Sequence, residues 1–161
     1  MSLRVHTARV SYGGADRLDI TRKSAPPEGI AFAPSWAILR PALDLMQTAR
    51  SSHTAARHLT ESMHGHLSAE SAASLGVLRV APSVVADASW ALYSAAYTAE
   101  MRESYRTQRP AWDALLARES VTLCCTCTCA DQCHRRLVAR MLVACGAVDC
   151  GERPEKTRRG A

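Results

Sequence analysis

The residues best suited to chemistry lie in one short stretch, residues 121–136, which holds five of the seven cysteines. The last of these cysteines, Cys133, is followed directly by His134 and Arg135. A thiol supplies a nucleophile or a soft metal ligand, an imidazole exchanges protons near neutral pH, and a guanidinium binds anions. The stretch therefore predicts a functional site built from these three groups.

A metal site is the first interpretation of this stretch. Zinc takes four thiolate or imidazole ligands, and five candidates fall within ten residues, namely Cys125, Cys127, Cys129, Cys133 and His134. The C-x-C-x-C spacing differs from the C-x2-4-C spacing of common zinc folds. We predict no required cofactor, with zinc as an optional one held by Cys125, Cys127, Cys129 and Cys133.

A reactive thiol is the second interpretation. Cys129 and Arg135 have the C-x5-R spacing with which phosphatase loops bind an anion beside a thiolate. The flanking His and the Ser or Thr of that signature are missing, so the match is weak. In a third interpretation Cys124, Cys125 and Cys133 are buried small apolar residues, as most free cysteines are.

The two cationic residues of the stretch, His134 and Arg135, leave a choice open. Two cations at the start of a helix oppose its dipole unless an anion or an acidic partner compensates. A bound anion would make the pair functional. A salt bridge to Asp19 or Glu152 would make it structural.

The elements that position these residues are those of an α/β protein. Val121–Cys125 is typical of a buried strand, and the apolar spacing after it predicts a helix that begins at Asp131, an N-cap residue type. Ligands of open α/β sheets bind at the carboxyl ends of the strands. The thiol, imidazole and guanidinium are therefore expected at a ligand-binding edge.

The rest of the chain alternates between strand and helix patterns. Strands are predicted at residues 4–12, 18–22, 77–80 and 147–150, and helices at 44–59 and 88–116 with a break at Pro110. This alternation favours a single α/β domain over residues 1–150, with a mostly parallel sheet flanked by helices. Residues 151–161 are predicted to be a basic, mobile tail.

Composition narrows the class of protein. With 47% hydrophobic residues the chain is not intrinsically disordered, and its 161 residues suit one domain. The net charge of +5 favours anionic partners such as nucleotides or nucleic acid. We find no signal peptide and no membrane-spanning run, and the crowded cysteines make a poor disulfide framework. A cytoplasmic protein is predicted, whose oligomeric state the sequence does not specify.

A second group of polar residues follows the first strand. Tyr12 precedes Gly13 and Gly14, and Asp19 and Arg22 come shortly after. Glycines at this point allow a ligand to approach the backbone closely, although a Gly-Gly pair also suits a plain turn.

Several segments together resemble a bacterial and phage branch of domain-of-unknown-function family 488. They are Thr7–Tyr12, Leu18–Arg22, Phe32–Trp36, Tyr97–Tyr105 and the cysteine-rich strand that ends in Cys133-His134-Arg135. The resemblance covers both ends of the chain and not its middle, so residues 50–80 are predicted to be an insertion. It implies a compact α/β fold with a Rossmann-like sheet, in which one cleft gathers the hallmark residues Tyr12, Asp19, Arg22, Cys125, Cys133, His134 and Arg135. Cys127 stands where other branches carry an acidic residue.

The leading hypothesis is an enzyme that acts on a phosphate-bearing substrate, a nucleotide or nucleic acid. Base or N-glycosidic processing, as by a DNA glycosylase or another hydrolase, is its concrete version. Asp19 or His134 would be the general acid or base and Cys127 or Cys133 the nucleophile. Substrate binding is assigned to Tyr12, Arg22, Ser35, Trp36 and Arg135. The alternatives are a non-catalytic zinc-stabilised or nucleic-acid-binding module, and a redox sensor.

Overall fold

The computed structural model describes residues 2–44, 47 and 82–154, with backbone alone for 82–88. The predicted strand at 77–80, nearly all of the helix at 44–59, the insertion at 50–80 and the end of the tail at 155–161 lie outside these residues. The chain divides into two compact units, residues 1–38 with 94–161, and residues 39–93. The first unit contains the sheet and every cluster described below. The predicted division at residue 150 stays a prediction.

The described residues form four strands and five helices. The strands are β1 (Arg4–Arg9), β2 (Arg17–Asp19), β3 (Ser120–Cys125) and β4 (Val148–Glu152). The helices are α1 (Pro27–Ile30), α2 (residues 36–44), α3 (Pro82–Thr107), α4 (Arg109–Leu116) and α5 (His134–Ala144). The predicted break at Pro110 is confirmed, since a new helix begins beside it. No described helix is long and apolar enough to cross a membrane.

The four strands form one sheet in the order β2-β3-β1-β4, and every neighbouring pair is parallel. The predicted α/β class with a parallel sheet is confirmed. In the centre of the sheet Val5 and Ala8 of β1 and Val121 and Leu123 of β3 are buried. Central strands of parallel sheets are apolar because helices and neighbouring strands exclude water from them.

Helix α5 packs on the sheet and fixes the residues that precede it. Its buried side chains Val138, Ala139 and Leu142 recur at helical spacing, and the helix contacts β1, β3 and β4. The connection from β3 to α5 therefore starts from a buried strand and ends in a buried helix. Both ends of the cysteine-rich loop are held by apolar packing.

A cluster of aromatic residues supports the other helices of the first unit. Trp112 is buried, its ring lies 5.0 Å from that of Phe32, and its indole N–H donates to Ser104. The Ser104 hydroxyl in turn donates to the carbonyl of Ala31. Few aromatic residues are available, and these concentrate where α3, α4 and the segment after α1 meet.

The end of the sheet differs from the sequence prediction. The tail is expected to start at residue 151, whereas β4 continues to Glu152. The backbone N–H of Arg153 then donates to the carbonyl of Thr7 at 2.7 Å. These residues are polar and thus resemble a tail in sequence, but backbone pairing with β1 holds them in the sheet.

Candidate metal centre

The parallel sheet brings the ends of β2 and β3 to one edge, where the cysteine-rich loop begins. Cys125 is the last residue of β3, and Asp19 at the end of β2 pairs with Cys124. Helix α5 begins at His134 with Cys133 as its N-cap, in an extended conformation. The predicted N-cap, Asp131, is therefore wrong, because the N-cap of the helix is Cys133, two residues later. Residues 131 and 132 form a turn instead, and this turn carries the chain back so that Cys133 faces the end of β3.

Three thiols and one imidazole converge at this edge. The potential ligand atoms of Cys125, Cys127, Cys133 and His134 all lie within 4.8 Å of one another. The Sγ atoms of Cys125 and Cys127 are 3.3 Å apart, and Nδ1 of His134 lies 3.7 Å from the former and 4.0 Å from Sγ of Cys133. Cys127 is half-buried and the other three residues are buried.

The orientation of the His134 ring is fixed by a backbone carbonyl. Nε2 lies 3.0 Å from the carbonyl oxygen of Ile20. Because a carbonyl only accepts hydrogen bonds, Nε2 carries a proton and donates it. In the neutral ring the lone pair is then on Nδ1, which points at the thiols. Histidine ligands of metals are commonly held in this way, with the second ring nitrogen bonded to a carbonyl. Tyr97 packs its ring edge against the same imidazole at 5.6 Å.

The thiols of the cluster share their protons unequally. Hydrogen bonds from Cys127 and Cys133 lower the pKa of Cys125 strongly, although burial alone would raise it. The same hydrogen bond to Cys125 raises the pKa of Cys133, which keeps its proton. Burial lowers the pKa of His134, but the bonds and charges of Cys125 and Cys127 outweigh it and raise that pKa to about 9. The directions of these pKa shifts favour negative charge on the thiol of Cys125 and retention of the proton on Cys133 and His134.

The neighbouring Cys124 shows that this behaviour belongs to the cluster and not to buried cysteines in general. Its side chain points to the opposite face of β3, since successive residues of a strand alternate. Burial raises the pKa of the Cys124 thiol to about 11. Cys124 is therefore the small apolar residue that the sequence suggests, whereas Cys125 and Cys133 face the cluster.

Arg135 is held by the protein and is only 1% exposed. Its NH1 donates to the carbonyl of Cys127 at 3.0 Å and lies 3.6 Å from Sγ of Cys133, while its NH2 donates to Oε1 of Glu152 at 3.0 Å. Of the two interpretations that the sequence leaves open for Arg135, the structure contains the salt bridge to Glu152.

The predicted acid or base, Asp19, is buried and has three donors. Its carboxylate accepts hydrogen bonds from Arg17, from the backbone N–H of Thr21 and from the hydroxyl of Ser24. These bonds close the turn after β2 and so position the carbonyl of Ile20 that His134 uses. Asp19 thus supports the site through the backbone, and its assignment as a catalytic group stays a prediction.

The other predicted site residues have separate surroundings. The Tyr12 hydroxyl donates to Asp16, the backbone N–H of Ser35 donates to Glu100, and Trp36 is 38% exposed at the start of α2. Arg22 is half-buried. Cys129 is exposed and is not part of the four-residue group, in which His134 takes the place that the sequence gives to Cys129.

The sequence analysis missed a second polar network, on the other face of the sheet. Asp16 accepts hydrogen bonds from Tyr12, Ser120, Thr122 and Arg153 at 2.8–3.0 Å. Burial raises the pKa of Asp16, but these four bonds together hold it well below its usual range. The sequence around Asp16 does not predict this network. Three of its four partners lie far away in the chain, on β3 and directly after β4.

Comparison with known proteins identifies one family. The model of the family described as the active DUF488-N3 subclade matches residues 78–146, a stretch that includes the cysteine-rich loop and α5. This match covers less than half of the chain and agrees with the predicted resemblance to family 488. No curated protein and no solved structure matches the chain significantly.

Proposed function

We propose that this protein binds one zinc ion through Cys125, Cys127, Cys133 and His134. The observation that carries the proposal is the convergence of their four ligand atoms within 4.8 Å. Three thiolates and an imidazole form a donor set typical of structural zinc sites. All four coordination positions would be filled by the protein, which favours a stabilising role for the metal over a catalytic one.

The measured distances fit tetrahedral coordination. Zinc bonds of about 2.3 Å to sulfur and 2.0–2.1 Å to nitrogen place neighbouring ligand atoms about 3.5–3.8 Å apart in a tetrahedron. The separations of 3.3, 3.7 and 4.0 Å within the cluster bracket this range. All separations are at most 4.8 Å, so closing the widest of them to this range needs a shift of at most about 1 Å. The ring orientation of His134, fixed by Ile20, points Nδ1 at the cluster, and the lone pair of Nδ1 becomes available to zinc once the ring loses its proton there.

Thiolate ligands also bear on location. All seven cysteines are free, and thiols stay reduced in the cytoplasm. We therefore propose a cytoplasmic location, which stays a prediction.

The zinc content of protein purified under reducing conditions tests the proposal. Wild-type protein should contain about one zinc per chain. The variant Cys133→Ser should lose it, and the matched variant Cys129→Ser, in the same loop but exposed, should retain it. Wild-type protein without zinc after incubation with the metal would refute the proposal.

A second candidate, an enzyme acting on a nucleotide or nucleic acid, is favoured by the closeness of the cluster thiols to the imidazole of His134, whose Nδ1 lies 3.7 Å from Sγ of Cys125 and 4.0 Å from Sγ of Cys133. Such pairs activate cysteine nucleophiles. The site also lies at the carboxyl edge of a parallel sheet, and the description of the matching family model names an active subclade. Cys127, the thiol nearest to solvent, would be the nucleophile and His134 the acid or base, while the net charge of +5 attracts a phosphate-bearing substrate.

The two candidates differ in what a chelator does. Metal-free protein that keeps its fold and cleaves nucleotides or oligonucleotides with modified bases would support the enzyme. Loss of that cleavage in His134→Ala, with cleavage retained in Cys129→Ser, would assign it to the cluster. Cleavage that persists in His134→Ala would exclude this site as its source.

A further inference from the structure

A single atom of Arg135 joins two of the proposed zinc ligands. NH1 donates to the carbonyl of Cys127, in the loop, and lies 3.6 Å from Sγ of Cys133, at the start of α5. The guanidinium therefore bridges the loop and the start of the helix, and a planar group with fixed donor directions is suited to this.

Glu152 binds NH2, the second amino group of the same guanidinium. Its Oε1 accepts from NH2 of Arg135 at 3.0 Å, and its Oε2 accepts from the hydroxyl of Thr7, a buried residue of β1. The backbone beside Glu152 is fixed as well, because the N–H of Arg153 donates to the carbonyl of Thr7. Both carboxylate oxygens are thus committed, and the carboxylate cannot turn away without breaking a bond to the sheet.

We infer that Arg135 and Glu152 are a positioning pair for the zinc ligands, an inference that rests on the proposed zinc centre. Three thiolates, one neutral imidazole and Zn²⁺ carry a formal charge of −1, which the adjacent guanidinium offsets. Glu152 keeps that guanidinium between Cys127 and Cys133. Outer partners of metal ligands typically change metal affinity by tenfold to a hundredfold when they are removed.

In this proposed role Arg135 is a positioning residue, and its assignment to substrate binding stays a prediction. The side chain is 1% exposed, one amino group donates to Glu152 and the other to the loop carbonyl, while its Nε has no partner among the described residues. The family signature of Cys, His and Arg then has one purpose, in which the first two residues bind the metal and the third holds the loop.

The test measures zinc affinity and the zinc-induced rise in melting temperature for the full chain. Arg135→Gln and Glu152→Ala should each weaken zinc binding about 10- to 100-fold in competition with a chelator. Arg135→Lys keeps the positive charge but loses the two amino groups that donate in fixed directions, so it should weaken zinc binding as well. The control is Glu119→Ala, which removes another Arg–Glu pair, an exposed one with Arg4, and should leave zinc affinity within about twofold.

The melting curves separate positioning from general stability. A residue that only stabilises the fold lowers the melting temperature with and without zinc equally, so the zinc-induced rise is unchanged. A positioning residue reduces that rise, because the stabilisation by a ligand follows its affinity. Should Arg135→Gln not fold, Glu152→Ala carries the test, since Glu152 is about one-third exposed.

The outcomes are distinct. Reduced zinc affinity in the three variants, with a normal control, supports the positioning pair. Zinc affinity within twofold of wild type in Arg135→Gln and Glu152→Ala overturns the pair and leaves the zinc centre standing. Wild-type protein that takes up no zinc overturns the centre itself, and the pair with it.

Discussion

Two polar clusters lie on opposite faces of the same sheet and satisfy their side chains in different ways. Asp16 is surrounded by strong donors, three hydroxyls and a guanidinium, at distances of 2.8–3.0 Å. The cluster of Cys125, Cys127, Cys133 and His134 has sulfur contacts of 3.3–4.0 Å, and sulfur is a weak donor and a weak acceptor. The first cluster is complete as it stands, whereas the second gathers four ligand atoms that bond one another poorly.

This difference indicates that the two clusters have different roles. A carboxylate that accepts four hydrogen bonds joins β3 to the end of β4 and needs no ligand. Buried thiols that converge on an imidazole lone pair gain most from a soft cation, which replaces weak contacts with coordinate bonds. We therefore assign the Asp16 network to stability and the thiol cluster to metal binding, and the predictions below test that division.

The largest effect is expected from Cys125→Ala. Zinc affinity should fall more than about 100-fold, beyond the range for an outer partner, because a direct ligand is lost. The control is Cys124→Ala, an adjacent and equally buried cysteine that faces the other side of β3. It should lower the free energy of unfolding by about 1 kcal/mol and leave zinc affinity unchanged. Equal effects of both variants on zinc affinity, measured by chelator competition, would contradict the assignment.

The converse variant is Asp16→Ala. We expect the free energy of unfolding to fall by about 2–3 kcal/mol, since hydrogen bonds to a charged group are lost and Arg153 loses its acidic partner. Zinc affinity should stay within about twofold. Urea denaturation provides the first measurement, and Asp113→Ala, which breaks an exposed pair with Arg109, is the control with a change below about 1 kcal/mol. A large loss of zinc affinity in Asp16→Ala would show that the two clusters are not independent.

The Asp16 network also predicts a dependence on pH. The folded-state pKa of Asp16 lies below its unfolded value, so its contribution is full above about pH 4 and is lost as the pH falls from there toward the folded pKa. The contribution decreases by up to about 1.4 kcal/mol per pH unit in that window. Denaturation curves for wild type and Asp16→Asn between pH 3 and 6 should therefore converge as the pH falls. Parallel curves would mean that Asp16 titrates normally in the folded protein.

The smallest effect is expected from the exposed ion pair between Arg4 and Glu119. Glu119→Gln should change the free energy of unfolding by about 0–1 kcal/mol, because both side chains are more than half exposed and water screens the pair. A similar change in high salt and low salt would agree with this. A loss comparable to that of Asp16→Ala would show that exposure is a poor guide to which polar contacts matter here.

Much of the fold was predictable because it depends on local patterns. The apolar strand that ends at Cys125 and the amphipathic helix after Cys133 can each be recognised from about a dozen residues, and the cluster of thiols lies between them. The helix start was missed because Asp131 is a good N-cap type. Whether Asp131 or Cys133 is the N-cap depends on the burial of the Cys133 thiol against the rest of the protein. Residue preferences for the N-cap position do not take such tertiary packing into account.

The ligand set shows where spacing alone fails. If the strand continued past Cys125, then Cys127 and Cys129 would share its face, and the C-x-C-x-C pattern would supply three ligands. The strand ends at Cys125, the loop turns, and Cys129 faces solvent. His134 completes the set instead because the first turn of α5 comes back to the end of β3. The salt bridge between Arg135 and Glu152 forms because β4 lies beside β1. The order of strands in a sheet cannot be predicted from the sequence of a single segment.

The most direct test of the zinc centre is to map thiol alkylation residue by residue by mass spectrometry, before and after chelation. In the zinc-bound protein only the exposed Cys129, Cys145 and Cys150 should react quickly. After chelation Cys125, Cys127 and Cys133 should become reactive, while Cys124 stays protected by the sheet. A pattern that is identical with and without the chelator, or one in which Cys129 gains protection from zinc in place of Cys133, would contradict the zinc centre proposed here.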